Sequence, residues 1–222
     1  MTDPSTAILA SLPGLLPDLE ALYKDVHAHP ELSMQESRTA EIAAKGLRAN
    51  GYEVTTGVGK TGVVGVLRNG EGPTVMLRAD MDALPVREAS GVDYASTVTT
   101  KDAAGNATPV AHACGHDMHV AWLTGVTALF AKQRDAWRGT LMAVFQPAEE
   151  VAAGARAMID DGLFKRFPKP DVILGQHVMP SPAGSRSQTT SGFFASAFEK
   201  IACSRDPFTS KSGTHFAPPL RG

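Results

Sequence analysis

Three short apolar runs, each ending in side chains able to hold a metal or move a proton, constrain this 222-residue chain more than any other feature. Residues 74–77 lead into Arg78-Ala79-Asp80-Met81-Asp82, residues 141–145 into Gln146-Pro147-Ala148-Glu149-Glu150, and residues 172–174 into Gly175-Gln176-His177. Continuous apolar runs without alternation are the pattern of central strands covered on both faces. Helical spacing lies before and between them. Residues 11–29 carry Leu12, Leu15, Leu16, Leu19, Leu22, Tyr23 and Val26 up to the stop at Pro30. Residues 35–50 present Ala40, Ala43, Ala44 and Leu47 on one face, with Gly51 placed to cap them. Residues 117–132 and 150–160 read as two more helices, residues 52–54 and 62–67 as short strands, and Asn69-Gly70 as a turn between strands. The alternation predicts an α/β fold, a mixed, mostly parallel sheet flanked by helices. In such sheets the site lies beyond the carboxyl ends of the strands, where all three runs deliver reactive groups.

Charge and cysteine usage narrow the function classes. Twenty-one Lys and Arg against 23 Asp and Glu leave a formal charge of −2, so no basic surface invites nucleic acid or an acidic membrane. Two cysteines, Cys114 and Cys203, cannot make a disulfide framework, which favours a reducing compartment. The longest membrane-like stretch, residues 120–131, falls short of the roughly twenty residues a span needs. The start Met1-Thr2-Asp3-Pro4-Ser5 lacks the basic and apolar regions of a secretory signal. A soluble, cytoplasmic protein is expected.

The densest chemistry is His112-Ala113-Cys114-Gly115-His116-Asp117-Met118-His119. Thiolate and imidazole are ligands for zinc and other late divalent metals, and a helix starting near Asp117 would favour Cys114 as thiolate. A buried cysteine beside loop histidines is the plainer alternative. Glu149-Glu150 could divide metal binding and proton relay between two carboxylates, although adjacent glutamates also suit a solvated helix start. Asp80 and Asp82 could support such a site from behind or stabilise a turn. His177 alone would pass for a core histidine, and His27 and His29 suit a helix C-terminus. Gly57-Val58-Gly59-Lys60-Thr61-Gly62 lacks phosphate-loop spacing. The residues by themselves leave a metal hydrolase and a cysteine hydrolase open, the latter with Cys114 as nucleophile and His112 or His116 as base.

Four motifs occur in order: His29-Pro30-Glu31-Leu32-Ser33, Arg78-Ala79-Asp80-Met81-Asp82-Ala83-Leu84-Pro85, His112-Ala113-Cys114-Gly115-His116-Asp117 and Phe145-Gln146-Pro147-Ala148-Glu149-Glu150. Together they resemble the metal-dependent amidohydrolases of the aminoacylase–carboxypeptidase clan, in particular the branch of hippurate hydrolases, auxin-conjugate hydrolases and N-acyl-amino-acid deacylases. The resemblance implies a zinc-exopeptidase-like catalytic domain with a pair of divalent ions, manganese, zinc, cobalt or nickel. It maps metal ligation onto Cys114, His116, Glu150 and His177, the general base onto Glu149, and the supporting aspartate onto Asp82. The implied reaction is hydrolysis of the amide of a small N-acyl amino acid. A homodimer is the implied assembly of full-length relatives.

The resemblance runs from about residue 19 to residue 180. Members of that family are longer, with an inserted lid domain and a second catalytic half that supplies a further histidine. Residues 1–180 therefore read as the N-terminal part of the catalytic domain, 181–201 as a linker and possible start of the lid, and 202–222 as an unpatterned tail. Residues 193–198 could start a strand. His215 falls in the tail and receives no role. A C-terminal truncation or reading-frame change would leave such an ending, and the expectation is an incomplete metal site with activity reduced or absent, down to an inactive metal-binding fragment.

Overall fold

The computed structural model describes residues 3–102 and 104–179, all within one compact unit. The expected linker, the strand at 193–198, the tail, Cys203 and His215 lie outside the described residues.

The chain opens with α1 (Pro4–Leu9), a 3-10 turn at Leu12–Gly14, and α2 (Leu16–Ala28). The helix expected over 11–29 is therefore interrupted. Pro13 and Gly14 belong to the tighter turn, and Pro17 sits in the first turn of α2, where its missing N–H goes unneeded. Helix α3 (Ser37–Ala49) buries Thr39 and the predicted face of Ala40, Ala43, Ala44 and Leu47. It ends as glycine-terminated helices do. Gly51, at φ +76°, donates to Arg48 O (3.0 Å), and Tyr52 N–H to Leu47 O (3.1 Å). Its start is capped from outside by Glu31, which accepts from Arg38 N–H (2.9 Å) and Thr39 N–H (2.8 Å).

Strands β1 (Glu53–Val58) and β2 (Gly62–Asn69) form a hairpin whose turn is the rejected phosphate-loop segment. Then come β3 (Thr74–Asp80), a ribbon of β4 (Thr99–Lys101) and β5 (Ala107–Pro109), α4 (His116–Lys132), β6 (Gly139–Gln146), α5 (Gly154–Asp160), α6 (Leu163–Arg166) and β7 (Val172–Gly175). The ribbon escaped the sequence reading because three-residue strands leave too few positions for a pattern. Sheet order is β1-β2-β6-β3-β7. β2 is antiparallel to both its neighbours, while β6, β3 and β7 are mutually parallel, so only β2 runs against the rest. The turn at Asn69-Gly70 joins strands that do not pair, because β6 lies between them.

Both faces of β2 and β6 are buried, as continuous apolar runs require. On one face Val63, Leu67, Ala79, Leu141, Ala143 and Phe145 pack with Val26 of α2, the α3 alanines and Leu123 of α4. Gly65 leaves the slot that Leu47 fills: a Cβ there would stand 2.8 Å from Leu47 Cδ1. On the other face α5 packs against β6, and Val64, Val66, Met76, Met142 and Val144 are buried. The third apolar run differs from expectation. β7 is an edge among the described strands, and Val172, Ile173 and Leu174 are exposed.

Register sets the site. Asp80 pairs with Gln146 and Arg78 with both Val144 and Gly175, so the carboxyl ends of β6, β3 and β7 finish side by side. No described helix is long and apolar enough to cross a membrane.

Candidate metal centre

Cys114 and His116 flank Gly115, which precedes α4 at φ +83°. Only glycine suits this position, because a Cβ would also overlap Val178 Cγ2. His116, fully buried, donates from Nδ1 to the carbonyl of Asp82 (2.9 Å). That bond fixes the ring so that Nε2 faces inward, 3.6 Å from Asp80 Oδ2 and 3.8 Å from both Glu149 Oε2 and Glu150 Oε1. Cys114 Sγ lies 3.3 Å from His177 Nε2, while His177 Nδ1 donates to Val178 O (2.6 Å). Donor atoms of Cys114, His116 and His177 fall within 4.8 Å of one another, and so do those of His116, Glu149 and Glu150. Four of the residues singled out from the sequence for metal binding and proton transfer, Cys114, Glu149, Glu150 and His177, thus converge on the fifth, His116.

Asp82, the sixth, stands behind them. Its Oδ1 accepts from Glu149 N–H (3.0 Å), and its Oδ2 from Glu150 N–H (3.0 Å) and the Ser33 hydroxyl (2.6 Å). The helix expected from residue 150 begins only at Gly154, because Asp82 holds both glutamate amides in a turn. That turn is backbone-strained. Ala148 and Ala152, on either side of the glutamates, have φ +47° and +53°. Ala148 N–H is held by the buried carboxylate of Glu36 (2.8 Å), which also accepts from Met34 N–H (2.9 Å) and the Thr61 hydroxyl (2.5 Å). Gly154 completes the fit, since a Cβ there would overlap the Pro147 carbonyl.

The charge balance is lopsided. Asp80, Asp82, Glu149 and Glu150 surround the cluster, and Arg78 is the guanidinium among them, 2.7 Å from Asp80 Oδ2 and bonded to Gln146 Oε1 (2.9 Å). Burial works against charge on Asp80, but the His119 hydrogen bond and Arg78 outweigh it and hold the carboxyl well below its usual range. Burial, then Asp80, raises Glu149. Burial also opposes a proton on His116, yet Asp82 and Asp80 prevail and raise its pKa. His116 Nε2 and Glu150 Oε1 are buried with no hydrogen-bond partner. Lone pairs left so at a focus of negative charge suit a divalent cation.

Cys114 does not behave as a lone nucleophile would. Burial, then Glu150 and Glu149, push its thiol up to about 12, overriding the helix dipole that suggested a thiolate. His177, not His112 or His116, is the histidine bonded to it. The cysteine-hydrolase arrangement is therefore not formed. His27 also differs from expectation. His29 makes the helix-end bond, to Asp25 O (2.7 Å), whereas His27 bridges Asp117 Oδ2 (2.6 Å) and Glu88 Oε1 (2.8 Å).

Two contributors were given no role of their own from the sequence, although His119 ends its densest cluster. His119 donates to Asp80 Oδ1 (2.6 Å) and accepts Val178 N–H (3.0 Å), tying the strand end that carries His177 to α4. Although its atoms lie within reach of Asp80 and His116, both of its nitrogens are in use. Its spacing of three from His116 was the available signal. Glu36, 112 positions from the amide it holds, left none.

Residues 76–208, more than half of the chain, match peptidase family M20/M25/M40. Hippurate hydrolase of Campylobacter jejuni is 43% identical over 164 residues, covering 73% of this chain and 40% of that protein. N-acetyl-L-cysteine deacetylase of Bacillus subtilis is 33% identical over 213 residues, covering 96% and 47%. Among solved structures, the Bacillus subtilis YXEP protein, a dinuclear metal binding peptidase from the M20 family, superposes with a TM-score of 0.66 at 35% identity, covering 76% of this chain and 44% of that one. The chain spans less than half the length of each of these relatives.

Proposed function

This chain belongs to peptidase family M20/M25/M40, and from that premise we propose that it serves metal-dependent hydrolysis of the amide bond of N-acyl amino acids. The observation that carries the proposal is the meeting of unpartnered, buried His116 Nε2 and Glu150 Oε1 with Cys114 and His177 at the ends of three parallel strands. Cys114, His116, Glu150 and His177 would hold a pair of divalent ions, with manganese, zinc, cobalt and nickel all compatible with this mixture of sulfur, nitrogen and oxygen donors. When bound, such ions supply Lewis-acid charge to the scissile carbonyl.

The chain's own groups do the rest. Glu149, beside the ligands with a carboxylate oxygen 3.8 Å from His116 Nε2, takes a proton from the attacking water and gives it to the amide nitrogen as the C–N bond breaks. Asp82 fixes Glu149 and Glu150 through their backbone amides and, with its own carbonyl, aims His116. The substrate class is supported by hippurate hydrolase and N-acetyl-L-cysteine deacetylase among the relatives. A reducing, cytoplasmic setting would keep Cys114 available as a free thiol.

Elemental analysis of the full chain tests the reading, beside a Cys114→Ala, His116→Ala double variant. At least one equivalent of manganese or zinc in the parent, lost in the variant, is expected. Hydrolysis of N-benzoylglycine or N-acetylcysteine that stops on chelation and returns with metal completes the case. A parent that takes up no metal after reconstitution refutes it. Metal uptake without turnover would confine the chain to the binding part of the reaction and overturn the catalytic assignment.

A further inference from the structure

Beside the metal centre lies a cleft of about 530 Å³, reaching from Tyr23 and His27 of α2 to Cys114 and His177 and on to Met118 and Met179. His112 lines it. This imidazole is 93% buried, at 7% relative exposure, and neither ring nitrogen has a hydrogen-bond partner. A histidine ring always carries at least one N–H, so at least one donor is left unsatisfied, a state that native interiors rarely keep without a reason.

The cleft also has a definite chemical character. Among the described residues that line it there is no lysine or arginine, and Asp117 adds an acid. Two other imidazoles line it and both are engaged: His27 with Asp117 and Glu88, and His177 with Cys114 and Val178 O. The α-carboxylate of an N-acyl amino acid would find no counter-charge there. Tyr23, Met118, Val178 and Met179 instead give aromatic and apolar walls, and the two methionines are unbranched and adapt to an occupant at low cost.

We propose that this cleft receives the acyl half of the substrate, an uncharged aromatic or apolar group, and that His112 is a binding residue that hydrogen-bonds it. The inference rests on the amidohydrolase reading for the identity of the substrate, and it adds the direction in which that substrate lies. The acyl group sits between α2 and the Cys114 loop, and the amino-acid half points out of the cleft. Both ring nitrogens of His112 are closed off from solvent, so an occupant reaches them only by displacing part of the cleft wall. His112 is thus an unsatisfied polar group kept for a ligand, at a cost to stability.

The test is binding to the full chain, with and without added manganese, using benzamide as the acyl half and glycine as the amino-acid half. Benzamide should bind and shift the ring ¹⁵N resonances of His112, while glycine should do neither. His112→Leu should weaken benzamide binding roughly five- to ten-fold, the worth of one hydrogen bond. It should also raise the thermal midpoint by about 2–4 °C, because the orphan donor is gone. His112→Gln keeps a donor and should restore most of the affinity. Equal binding of glycine and benzamide, or unaltered benzamide affinity in His112→Leu, overturns the proposal, as does a lowered midpoint in that variant. Because binding is read without turnover, failure of metal uptake would count against the catalytic reading alone.

Discussion

Replacing Asp82 by asparagine removes one charge and one acceptor from the point that organises the Glu149-Glu150 turn. The carboxylate is 1% exposed and accepts three hydrogen bonds, from Glu149 N–H, Glu150 N–H and Ser33. An asparagine oxygen placed to keep Ser33 and Glu150 turns its NH₂ toward Glu149 N–H, donor against donor. One orphaned buried amide costs roughly 1–3 kcal/mol, and each surviving bond loses about 1 kcal/mol of charge assistance. The expected loss is about 3–5 kcal/mol, read by urea unfolding of the metal-free chain. The pH dependence has a definite sign. Burial opposes the charge on Asp82, but the His116 imidazole 3.3 Å from its Oδ1 and the bonds from Ser33 and Glu150 hold the folded-state pKa below the ordinary value. The stability tied to that ionisation is present above about pH 4 and lost as pH falls through the lowered pKa. The gap between parent and Asp82→Asn should be flat from pH 8 to about pH 5 and narrow on further acidification. Metal affinity should fall about 10- to 100-fold, as for other supports of a metal ligand. A variant within about 1 kcal/mol of the parent and unchanged in metal affinity would show that Asp82 does not hold the turn.

Other changes separate strain from chemistry. Gly115→Ala meets both the left-handed backbone and Val178, so a loss of about 2–4 kcal/mol by thermal unfolding is expected, with metal uptake falling as His177 is pushed from Cys114. Ala152→Gly should do the opposite and stabilise by about 0.5–1 kcal/mol in urea with metal uptake intact, since glycine relieves the φ of +53°. The pKa of His27 is raised, the bonds it donates to Glu88 and Asp117 outweighing burial. The stability it contributes is therefore present at low pH and lost as pH rises through the folded pKa, and His27→Gln should abolish that component of a pH–stability profile.

Much of the architecture was legible because it rests on local pattern. The α3 face, the buried β2 and β6, and the strand ends at Asp80, Glu149 and His177 follow from periodicity and from side-chain chemistry placed at run ends. The misplaced parts share a cause, long-range competition for backbone groups. The helix expected from Glu150 yields to Asp82, 68 positions away, which claims its amides. The thiolate expected of Cys114 yields to burial and then to the carboxylates at the ends of β6 and β3. His27 looks like a helix-end residue until Asp117, 90 positions on, meets its ring. Exposure of β7 was equally unreadable, because an apolar run does not say where in a sheet its strand will stand.

The placement of β6 has a consequence for the order in which the chain acquires its shape. β1 and β2 can close as a local hairpin as soon as they are made, but β3 cannot join them until β6 arrives some sixty residues later and wedges between β2 and β3. Loop closure over that distance must precede the contacts that reward it, so sheet completion is the slow event in folding. The same insertion brings Glu149 and Glu150 to Asp82 and His116. The metal centre is thus assembled late, Glu149 and Glu150 arriving with β6 and His177 with β7, and acquisition of metal can serve as a clock for these long-range steps of folding.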